Sequence, residues 1–518
     1  MRRLPLLLAA AALVAAAVPA QANWVASGQL LYEHREWDQF GFTGAVTIKP
    51  VRFADVEIID PTKAANKQNL AWGKTDANGN FSVTVVDSTT RSKVRARILS
   101  QSTQTTDLFV KVVTPGGSIY AANTSDYNNH APSVNVNWGT MTAVAFAGAE
   151  VCNIFDLAVY GADYIKALTG SRPNSSKLVT FKYSLTGGIT VASTSGNTVT
   201  LRDTAGFDDT VILHEWSHYV MTNYSKSSNP GGTHFLSDCN EDPRLAFDEA
   251  RASFFGCSVR RANGWPNANT YVRTSGTSGT GGALNTYNLE DVEQYACTGD
   301  TSEVTNSRTM WDIGDSDATT DATPGVEDTP PDALALPDAE AWQVFTGPVK
   351  LATYVTGESF WNGWFDPTVA NGNFPAMKDI WNAFTIEFWH DAFEPNNTTA
   401  TATPLAPNGG PIHLSYFYDS NGDNKGEVDT DLFSFTAAAG QAFTVETLNL
   451  LSANDTNLEI LASNGTTVLA SNNDRATGDK SSRIAWTAGS AGTYYIRSKR
   501  ASGGYTIHGS YDLSFTTP

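Results

Sequence analysis

The sequence predicts a multidomain fold class: a β-sandwich, then a central α+β domain, then a second β-sandwich. Three observations support it. Short β-rich runs separated by turn residues fill the first part of the 518-residue chain, apolar runs with helical spacing fill the middle, and β-rich runs return near the end. A chain of this length typically holds several domains. The expected boundaries are 1–22 for an export signal, 23–138 for the first sandwich, 139–390 for the central domain and 391–518 for the last sandwich.

The first segment has the composition of an export signal. A charged start at Arg2 and Arg3 precedes a Leu- and Ala-rich stretch that ends in Ala-Gln-Ala before Asn23. This order is typical of secretory signals, which are cut after such an end. A membrane anchor is the alternative, but no stop-transfer flank follows and no later segment is long and apolar enough to span a bilayer. We therefore expect a secreted, extracellular protein without a membrane partner.

The charge balance limits the classes of partner. The formal net charge is −19, which argues against nucleic acid and anionic membranes and is compatible with calcium sites. Charged residues make up only 17% of the chain, too few for a disordered polyanion.

The region 23–138 carries runs that are typical of strands and are separated by turn residues. They are Gly28–Tyr32, Val51–Ile59, Phe81–Val86, Lys93–Leu99, Leu108–Val113 and Val134–Asn137. A tight-turn signal over Thr75–Phe81 follows the run Ala54–Ile58. Together they resemble the transthyretin-like, carboxypeptidase regulatory-type β-sandwich. A retained accessory domain is the preferred interpretation, and a removable propeptide is the alternative.

The most informative stretch is His214-Glu215-Trp216-Ser217-His218. Residues four apart share a helix face, so His214 and His218 can both reach one metal ion. The adjacent Glu215 can then reach a water molecule at that metal. Two histidine ligands and one general base in this pattern are typical of zinc peptidases.

The surrounding residues favour a helix at this position. Asp208, Asp209 and Thr210 offer N-cap oxygens in front of an apolar run that begins at Val211. Three β-like runs precede this helix: Val179–Tyr183, Gly188–Ala192 and Thr198–Arg202. A structural zinc site would need a closed set of four ligands, usually rich in cysteine, and nothing near the motif supplies it.

A third protein ligand is expected from a second helix over Leu245–Gly256, which carries the adjacent carboxylates Asp248 and Glu249. Thirty residues lie between His218 and Glu249, enough for a loop and a helix that packs beside the first. Here the chain resembles the gluzincins, the thermolysin-like and fungalysin-like metallopeptidases. Their third ligand is a glutamate in a helix of the form Ser-Glu-Gly-Trp-Ala-Asp-Phe-Phe.

Aligning the paired phenylalanines of this family motif places Glu249 on the ligand, with Asp248 as the competitor. Two departures stand out: Ala250-Arg251 replaces the family's Gly-Trp, and Ser253 replaces its aspartate beside the ligands. The resemblance implies a zincin-like central domain. It also implies a secreted zinc endopeptidase acting on protein or peptide substrates, with His214, His218 and Glu249 on zinc and Glu215 as general base.

Two other functions remain open. The first is an extracellular binding or adhesion protein whose zincin-like domain is catalytically inactive, and the intact Glu215 argues against it. The second is an aminopeptidase, which would need an acidic amine-binding motif upstream, and none is convincing. Gluzincins commonly stabilise the oxyanion with a Tyr or a His. Candidates here are His234, Tyr224 and Tyr287, and the sequence does not choose among them.

The four cysteines, Cys152, Cys239, Cys257 and Cys297, all lie in the central domain. An even number in an exported chain suggests two disulfide bonds with three possible connectivities. A bond between Cys239 and Cys257 would brace the helix with Glu249. Buried free thiols are the alternative.

The last domain carries a more specific pattern. Asp391-Ala392-Phe393-Glu394-Pro395-Asn396-Asn397-Thr398, with Asp429–Phe435, Ala439–Gln441 and Ala491–Ile496, closely resembles the bacterial pre-peptidase C-terminal domain. The resemblance implies a small β-sandwich attached to a secreted peptidase, which in some collagenases binds calcium and collagen. An extracellular polymer is therefore a possible partner of this domain.

Calcium prefers several oxygen ligands. The resemblance offers five candidates: Asp391, Glu394, Asn396, Asp429 and Asp431. Asn397 replaces an aspartate of the family motif, which lowers the ligand charge. Asp419, Asn421 and Asp423 also alternate as calcium ligands do, but Asn424 replaces the glycine that an EF-hand requires, so a solvated loop is expected there.

Two further stretches belong to the predicted central domain. Ala143–Leu168 has the pattern of a long amphipathic helix, and Met310–Asp315 resembles a Leu-Trp-Asp-Leu-x-Asp stretch of related secreted enzymes. An aromatic group should fill the core of a helical lobe rather than bind sugars. It consists of Trp361, Trp364, Trp381, Phe384 and Trp389.

Overall fold

The structure is a computed structural model that describes residues 23–104, 108–275, 279–290, 295–315, 334–369, 371–451, 454–501 and 509–518. The predicted export signal over 1–22 lies outside these residues. The described chain is mostly β-sheet, with helices in its middle. It divides into two compact units, the first from residues 23–31, 50–104 and 121–142, and the second from 32–49, 108–120 and 143–518.

The first part of the chain contains eleven strands. They are β1 (Asn23–Asp38), β2 (Gly41–Pro50), β3 (Asp55–Ile59), β4 (Asn69–Lys74), β5 (Asn80–Val86), β6 (Arg91–Leu99), β7 (Gln101–Ser102), β8 (Val110–Val113), β9 (Ala121–Asn123), β10 (Tyr127–His130) and β11 (Val136–Ala143). In the first unit β1 pairs with β5 and β11, and a second sheet has the order β10-β6-β3-β4. Alternate residues of β5, including Phe81 and Val83, are buried, as expected for strands with one face on a core.

The division between the units interrupts the region 23–138. The second half of β1, from Tyr32, and the strand β8 belong to the second unit, while the first unit continues to Thr142. All six β-rich runs predicted in this region contain or overlap strands. The predicted domain is continuous from 23 to 138, whereas segments of the two units alternate along this region. Apolar alternation reveals a strand but not the sheet that it joins.

The central part of the second unit contains the next strands and all the helices described. The strands are β12 (Val179–Lys182), β13 (Ser193–Ser195), β14 (Thr198–Thr200), β15 (Thr270–Thr274) and β16 (Ala283–Asn288). The helices are α1 (Ala149–Thr169), α2 (Asp209–Tyr224), α3 (Pro243–Ala262), α4 (Glu303–Trp311), α5 (Asp338–Thr346), α6 (Pro348–Leu351), α7 (Gly357–Trp364) and α8 (Phe374–Ala383).

Several local predictions need correction here. The run Gly188–Ala192 is not a strand, because residues 187 and 188 are glycines with positive φ and the chain turns there. The helix α1 begins at Ala149 rather than Ala143, since Gly148 at its N-cap has a φ of 114°. Asp208 occupies the N-cap of α2, but its side chain makes no capping hydrogen bond there. The aromatic residues predicted for the core are buried at Trp361, Trp364, Trp381 and Phe384, whereas Trp389 is half-buried.

Within the second unit β12 lies between β8 and β14, parallel to both, and β13 pairs antiparallel with the outer side of β14. The helix α2 packs on α3 and α1. Two glycines allow this close packing. A Cβ at Gly161 would lie 2.5 Å from the Trp216 ring, and one at Gly256 would lie 3.3 Å from the backbone nitrogen of His214.

A buried ion pair fixes the start of α2. His34 Nε2 lies 3.0 Å from Asp209 Oδ2, and Asn153 Nδ2 donates to the other oxygen at 2.9 Å. Burial opposes a charge on His34, yet the Asp209 carboxylate raises its pKa to about 9. Asp209 is itself buried, and His34 lowers its pKa to about 2. The pair therefore holds α2 in a charged, buried contact across neutral pH.

The last domain is a β-sandwich. Its strands are β17 (Thr403–Pro404), β18 (Ile412–Ser415), β19 (Phe417–Tyr418), β20 (Glu427–Val428), β21 (Thr430–Ala437), β22 (Ala442–Leu448), β23 (Thr456–Leu461), β24 (Val468–Asn472), β25 (Arg483–Thr487), β26 (Gly492–Arg500) and β27 (Ser510–Thr516). The two main sheets have the orders β17-β21-β26-β23-β24 and β18-β27-β22-β25. Their inner faces share one apolar core that includes Phe433, Phe443 and Phe515.

Among the described residues, no helix combines the length and the apolar character needed to cross a bilayer.

Candidate metal centre

The three side chains predicted as ligands converge at the contact between α2 and α3. His214 Nε2 lies 3.1 Å from Glu249 Oε2, His218 Nε2 lies 3.1 Å from the same oxygen, and the two Nε2 atoms are 3.2 Å apart. One turn of α2 separates the histidines, and α3 brings the glutamate against both. The sequence spacing could place the histidines together, but only the packing of the two helices adds Glu249.

This triangle fits a metal ion. Three ligand atoms 3.1–3.2 Å apart match three corners of a tetrahedron whose centre lies roughly 1.9–2.0 Å from each, close to zinc–ligand distances. Two imidazole nitrogens and a carboxylate oxygen are also a donor set that zinc prefers. Since protons alone would leave these three lone pairs crowded together, a cation explains the arrangement better.

Each histidine is held through its other ring nitrogen. His214 Nδ1 lies 3.0 Å from Ser253 Oγ, and His218 Nδ1 lies 3.4 Å from Asp248 Oδ2. Such partners fix the tautomer that leaves Nε2 free for a metal. Ser253, one of the departures from the family motif, thus lies where it can orient a ligand.

Asp248 has a different neighbourhood from Glu249. The fully buried guanidinium of Arg251 donates to Asp248 Oδ1. Burial alone would raise the pKa of Asp248, but the charge of Arg251 and the hydrogen bond with His218 lower it to about 2. Asn229 Nδ2 donates to Glu249 Oε1 at 2.9 Å, which turns Oε2 toward the histidines. The competing carboxylate is therefore occupied by Arg251 and His218, and Glu249 faces the centre.

The electrostatics of the centre favour a positive charge. Burial alone would lower the pKa of His218, yet the carboxylates of Glu249 and Asp248 raise it well above its usual value. Burial also works against ionised Glu249, whose pKa is nevertheless held low by the two histidines. A bound cation would likewise stabilise the negative charge of these carboxylates.

Glu215 lies on the cleft side of α2, next to the three converging residues. Thr194, in the edge strand β13, donates through Oγ1 to Glu215 Oε2 at 2.7 Å. Among the described residues the other oxygen, Oε1, makes no hydrogen bond. One carboxylate oxygen is thus fixed while the other remains available to a proton donor.

The centre opens into a cleft of about 790 Å³. One wall is formed by Thr190–Thr194, and Tyr271 and Arg273 of β15 also line the cleft. The Tyr271 ring lies 5.9 Å from the His214 ring, centroid to centroid. The short strand β13, at the edge of its sheet, presents its outer backbone groups along this cleft.

The three residues predicted as oxyanion candidates differ in whether they reach the cleft. His234 Nε2 lies 3.5 Å from Glu249 Oε2, and His234 lines the cleft. Tyr224 packs against Trp342, away from the cleft lining. Tyr287 is fully buried behind Tyr271. Of the three candidates, only His234 therefore lines the cleft. Tyr271, which also lines it, was not a candidate because a lone tyrosine in a strand carries no motif.

The predicted calcium ligands form a second group in the last domain. Single carboxylate oxygens of Asp391, Glu394 and Asp431 lie within 4.8 Å of one another. Asn396 Nδ2 donates to Asp431 at 3.1 Å. Three buried oxygens have no hydrogen-bond partner among the described residues: Glu394 Oε1, Asn396 Oδ1 and Asp429 Oδ2. Orphaned oxygens beside clustered carboxylates fit a hard cation.

Burial and mutual repulsion disfavour the ionised forms of these acids. Burial and the nearby Asp391 raise the pKa of Glu394 to about 7, and burial together with Glu394 raises that of Asp429 to about 8. The Asp419 loop differs, because Asp419 accepts hydrogen bonds from the backbone of residues 421–424 and the loop is exposed. It is the solvated loop that the sequence predicted.

The disulfide prediction requires correction. One bond joins Cys239 to Cys297, while Cys152 and Cys257 are free thiols. Cys257 lies inside α3 and is buried, so it cannot reach the loop that carries Cys239. The sequence positions of Cys239 and Cys257 on either side of Glu249 suggested the wrong partner for Cys239, because sequence position does not show where the Cys257 side chain points.

A third acidic group was not predicted as a site. Oxygens of Glu290, Asp312 and Asp315 lie within 4.8 Å of one another, and all three residues are buried. Trp311 Nε1 donates to Glu290 Oε1. The stretch 310–315 was noted only for its likeness to related enzymes, because nothing in it indicated that Glu290 would fold against it.

Comparison with known proteins identifies the last domain. Residues 429–497 match the profile of the family described as Bacterial pre-peptidase C-terminal domain. The prediction of this domain is confirmed. No curated protein matches the chain.

Solved structures similar to parts of the chain are distant. The pre-peptidase C-terminal domain of a Bacillus anthracis collagenase has 19% identity and a TM-score of 0.18, covering 22% of this chain and 94% of its own. Aeromonas hydrophila PliG, a periplasmic inhibitor of g-type lysozyme, has 18% identity and a TM-score of 0.17, covering 23% and 96%. The M60 catalytic domain with CBM51 domains from Clostridium perfringens ZmpB has 9% identity and a TM-score of 0.19, covering 96% and 72%.

Proposed function

We propose that the protein is a secreted zinc-dependent endopeptidase whose central domain is zincin-like. The observation that carries the proposal is the convergence of His214, His218 and Glu249 within 3.2 Å, with Glu215 on the same helix beside them. The pre-peptidase C-terminal domain fits a protein associated with peptidases. The substrates would be proteins or peptides, and an extracellular polymer is a possible partner of the last domain.

When bound, zinc would supply the Lewis acidity that polarises a carbonyl and makes a water molecule nucleophilic. Glu215 takes the proton of the attacking water on Oε1, while the Thr194 hydroxyl holds Oε2 in place. Glu215 then gives this proton to the leaving nitrogen. Asp248 and Ser253 keep both histidines oriented with Nε2 toward the centre.

The cleft suits an extended chain. A substrate strand can add to the free edge of β13, which lies along the cleft beside Glu215. Main-chain pairing of this kind is independent of sequence and places a peptide bond near the centre. This arrangement favours internal cleavage over the amine recognition that an aminopeptidase requires.

Removal of the metal tests the proposal. The protein should cleave denatured casein or gelatin, lose this activity in a zinc chelator, and regain it with about one zinc per chain. Gel analysis of the substrate measures cleavage, and elemental analysis of the protein measures zinc content. Full activity in a metal-free preparation would contradict the proposal, and zinc binding without cleavage would favour the binding or adhesion protein.

We also propose that calcium binds the acidic group of the last domain, through oxygens of Asp391, Glu394, Asn396, Asp429 and Asp431. The support is the three orphaned buried oxygens and the crowded carboxylates, which a divalent cation would neutralise.

Calcium should raise the melting temperature of this domain, because a ligand that binds only the folded form stabilises it by about 2.7 kcal/mol at a hundred times its Kd. The fragment from Asp391 contains its own apolar core, so its unfolding can be followed alone by circular dichroism. The double variant Asp429→Asn/Asp431→Asn should lose the response. A melting temperature of the unmodified fragment that ignores both calcium and chelator would remove the calcium site.

A further inference from the structure

We propose that the cleft selects substrates with a carboxylate within about two residues of the scissile bond, and that Arg273 binds this carboxylate. The inference rests on the proposed peptidase function and concerns the substrate class of that site. It assigns a specificity-determining role to a residue that carried no sequence motif.

Arg273 lies in the cleft wall. It is an exposed residue of β15, on the same strand face as Tyr271, whose ring lies against His214. Within the described part of the chain, its guanidinium has no hydrogen bond and no ion pair. An arginine of this kind offers a planar pair of donors that matches a carboxylate.

The surrounding charges leave Arg273 uncompensated. Arg202 also lines the cleft, but its Nη2 donates to Asp208 Oδ2 at 2.5 Å. Asp208 is further occupied by the hydroxyl of Thr274. Burial and the neighbouring Arg202 lower the pKa of Arg273, because a second positive charge nearby disfavours its charged form.

Arg202 adds a second positive charge beside Arg273 but no accessible donor, because its Nε is buried. Its side chain is 7% exposed, and its Nε has no hydrogen-bond partner among the described residues. Two arginines therefore line one region of the cleft in a chain whose formal net charge is −19. Because salt screens the distant acids over about 10 Å, the groups that line the cleft decide which substrate groups are attracted: these two arginines and the acids of the metal centre.

Strand geometry gives the approximate subsite. Two residues along β15 correspond to about 6.6 Å, and an extended substrate rises by a similar amount over two residues. The Tyr271 ring lies against His214, so we expect Arg273, two residues further along the same strand face, to act within about two substrate residues of the scissile bond. The carboxylate could come from an Asp or Glu side chain or from the substrate's free C-terminus.

Binding to the zinc-loaded Glu215→Gln protein tests the inference without turnover. Fluorescence anisotropy measures the binding of three sets of fluorescein-labelled, eight-residue peptides. The first set has a blocked C-terminus and Glu at each position in turn. The second set has Gln in place of Glu, and the third is the Gln set with a free C-terminus. The best carboxylate peptide should bind roughly 10- to 100-fold more tightly than its Gln counterpart. The set that shows this preference identifies the source of the carboxylate.

Adding Arg273→Gln should remove most of the preference while zinc content and melting temperature stay unchanged. Arg483→Gln, an exposed arginine of the last domain, is the matched control and should retain it. Equal binding of all three sets, or a preference that survives Arg273→Gln, would overturn the inference. A charge preference in a protein that cleaves no substrate would instead reject the peptidase function and leave carboxylate binding standing.

Discussion

Glu215→Gln is expected to lower peptide-bond cleavage by roughly two or more orders of magnitude. Glutamine keeps the size of the side chain and can still accept the Thr194 hydroxyl, which donates at 2.7 Å in the unmodified protein. It cannot take a proton from the attacking water. Rates on a fluorogenic peptide, with zinc content and melting temperature measured in parallel, should show a folded, metal-loaded and nearly inactive protein.

Glu446→Gln provides the control, because Glu446 lies in the last domain and pairs with Arg475 there. It should leave the rate unchanged. If Glu215→Gln cleaves as fast as the unmodified protein in preparations free of other peptidases, the assignment of the general base fails. If neither protein cleaves anything, the inactive, substrate-binding alternative is favoured.

Glu249→Ala is expected to abolish both zinc binding and activity, since only two protein ligands would remain. The comparison with Asp248→Asn decides between the two adjacent carboxylates. Asp248→Asn would leave all three converging atoms in place and should weaken zinc binding by only roughly 10- to 100-fold, the usual effect of losing a partner of a ligand. Competition with a chromogenic chelator measures both affinities.

The two variants should also differ in their free energy of unfolding. Asp248→Asn leaves the fully buried Arg251 without its partner charge, and breaking a buried pair costs about 3–5 kcal/mol. Glu249→Ala should destabilise the metal-free protein less, because His214 and His218 can lose their protons when their partner is removed, whereas Arg251 cannot. Should Asp248→Asn lose zinc completely while Glu249→Ala keeps it, the assignments of the two carboxylates would have to be exchanged.

The sequence predicted the convergence of His214, His218 and Glu249 better than it predicted the residues around them. Helical spacing determined the relation of His214 to His218, and the family motif pointed to Glu249. The partners Thr194, Asn229 and Tyr271 could not be predicted, because each comes from a loop or short strand whose position depends on tertiary packing. The replacement of aspartate by Ser253 looked like a loss, but the structure shows it against His214 Nδ1.

The fold was predictable to a similar degree. The β-rich runs revealed strands such as β5 and β6, and the aromatic residues of α7 and α8 indicated a buried helical lobe. The partner of Cys239 and the sheet joined by β8 were beyond reach, since both depend on contacts between distant segments. Long-range pairing leaves no periodic trace in a sequence.

The interleaving of the two units bears on the order in which the chain can fold. The second half of β1 is synthesised early, yet Tyr32 bonds to Asp156 and His34 to Asp209, 124 and 175 residues later. Closing such long loops is slow, because their entropy is lost before the contacts form. The early segment can pair at once with β2, which follows it directly, but its contacts with α1 and α2 form only after those helices have emerged. This protein therefore cannot complete its folding strictly from its N-terminus onward.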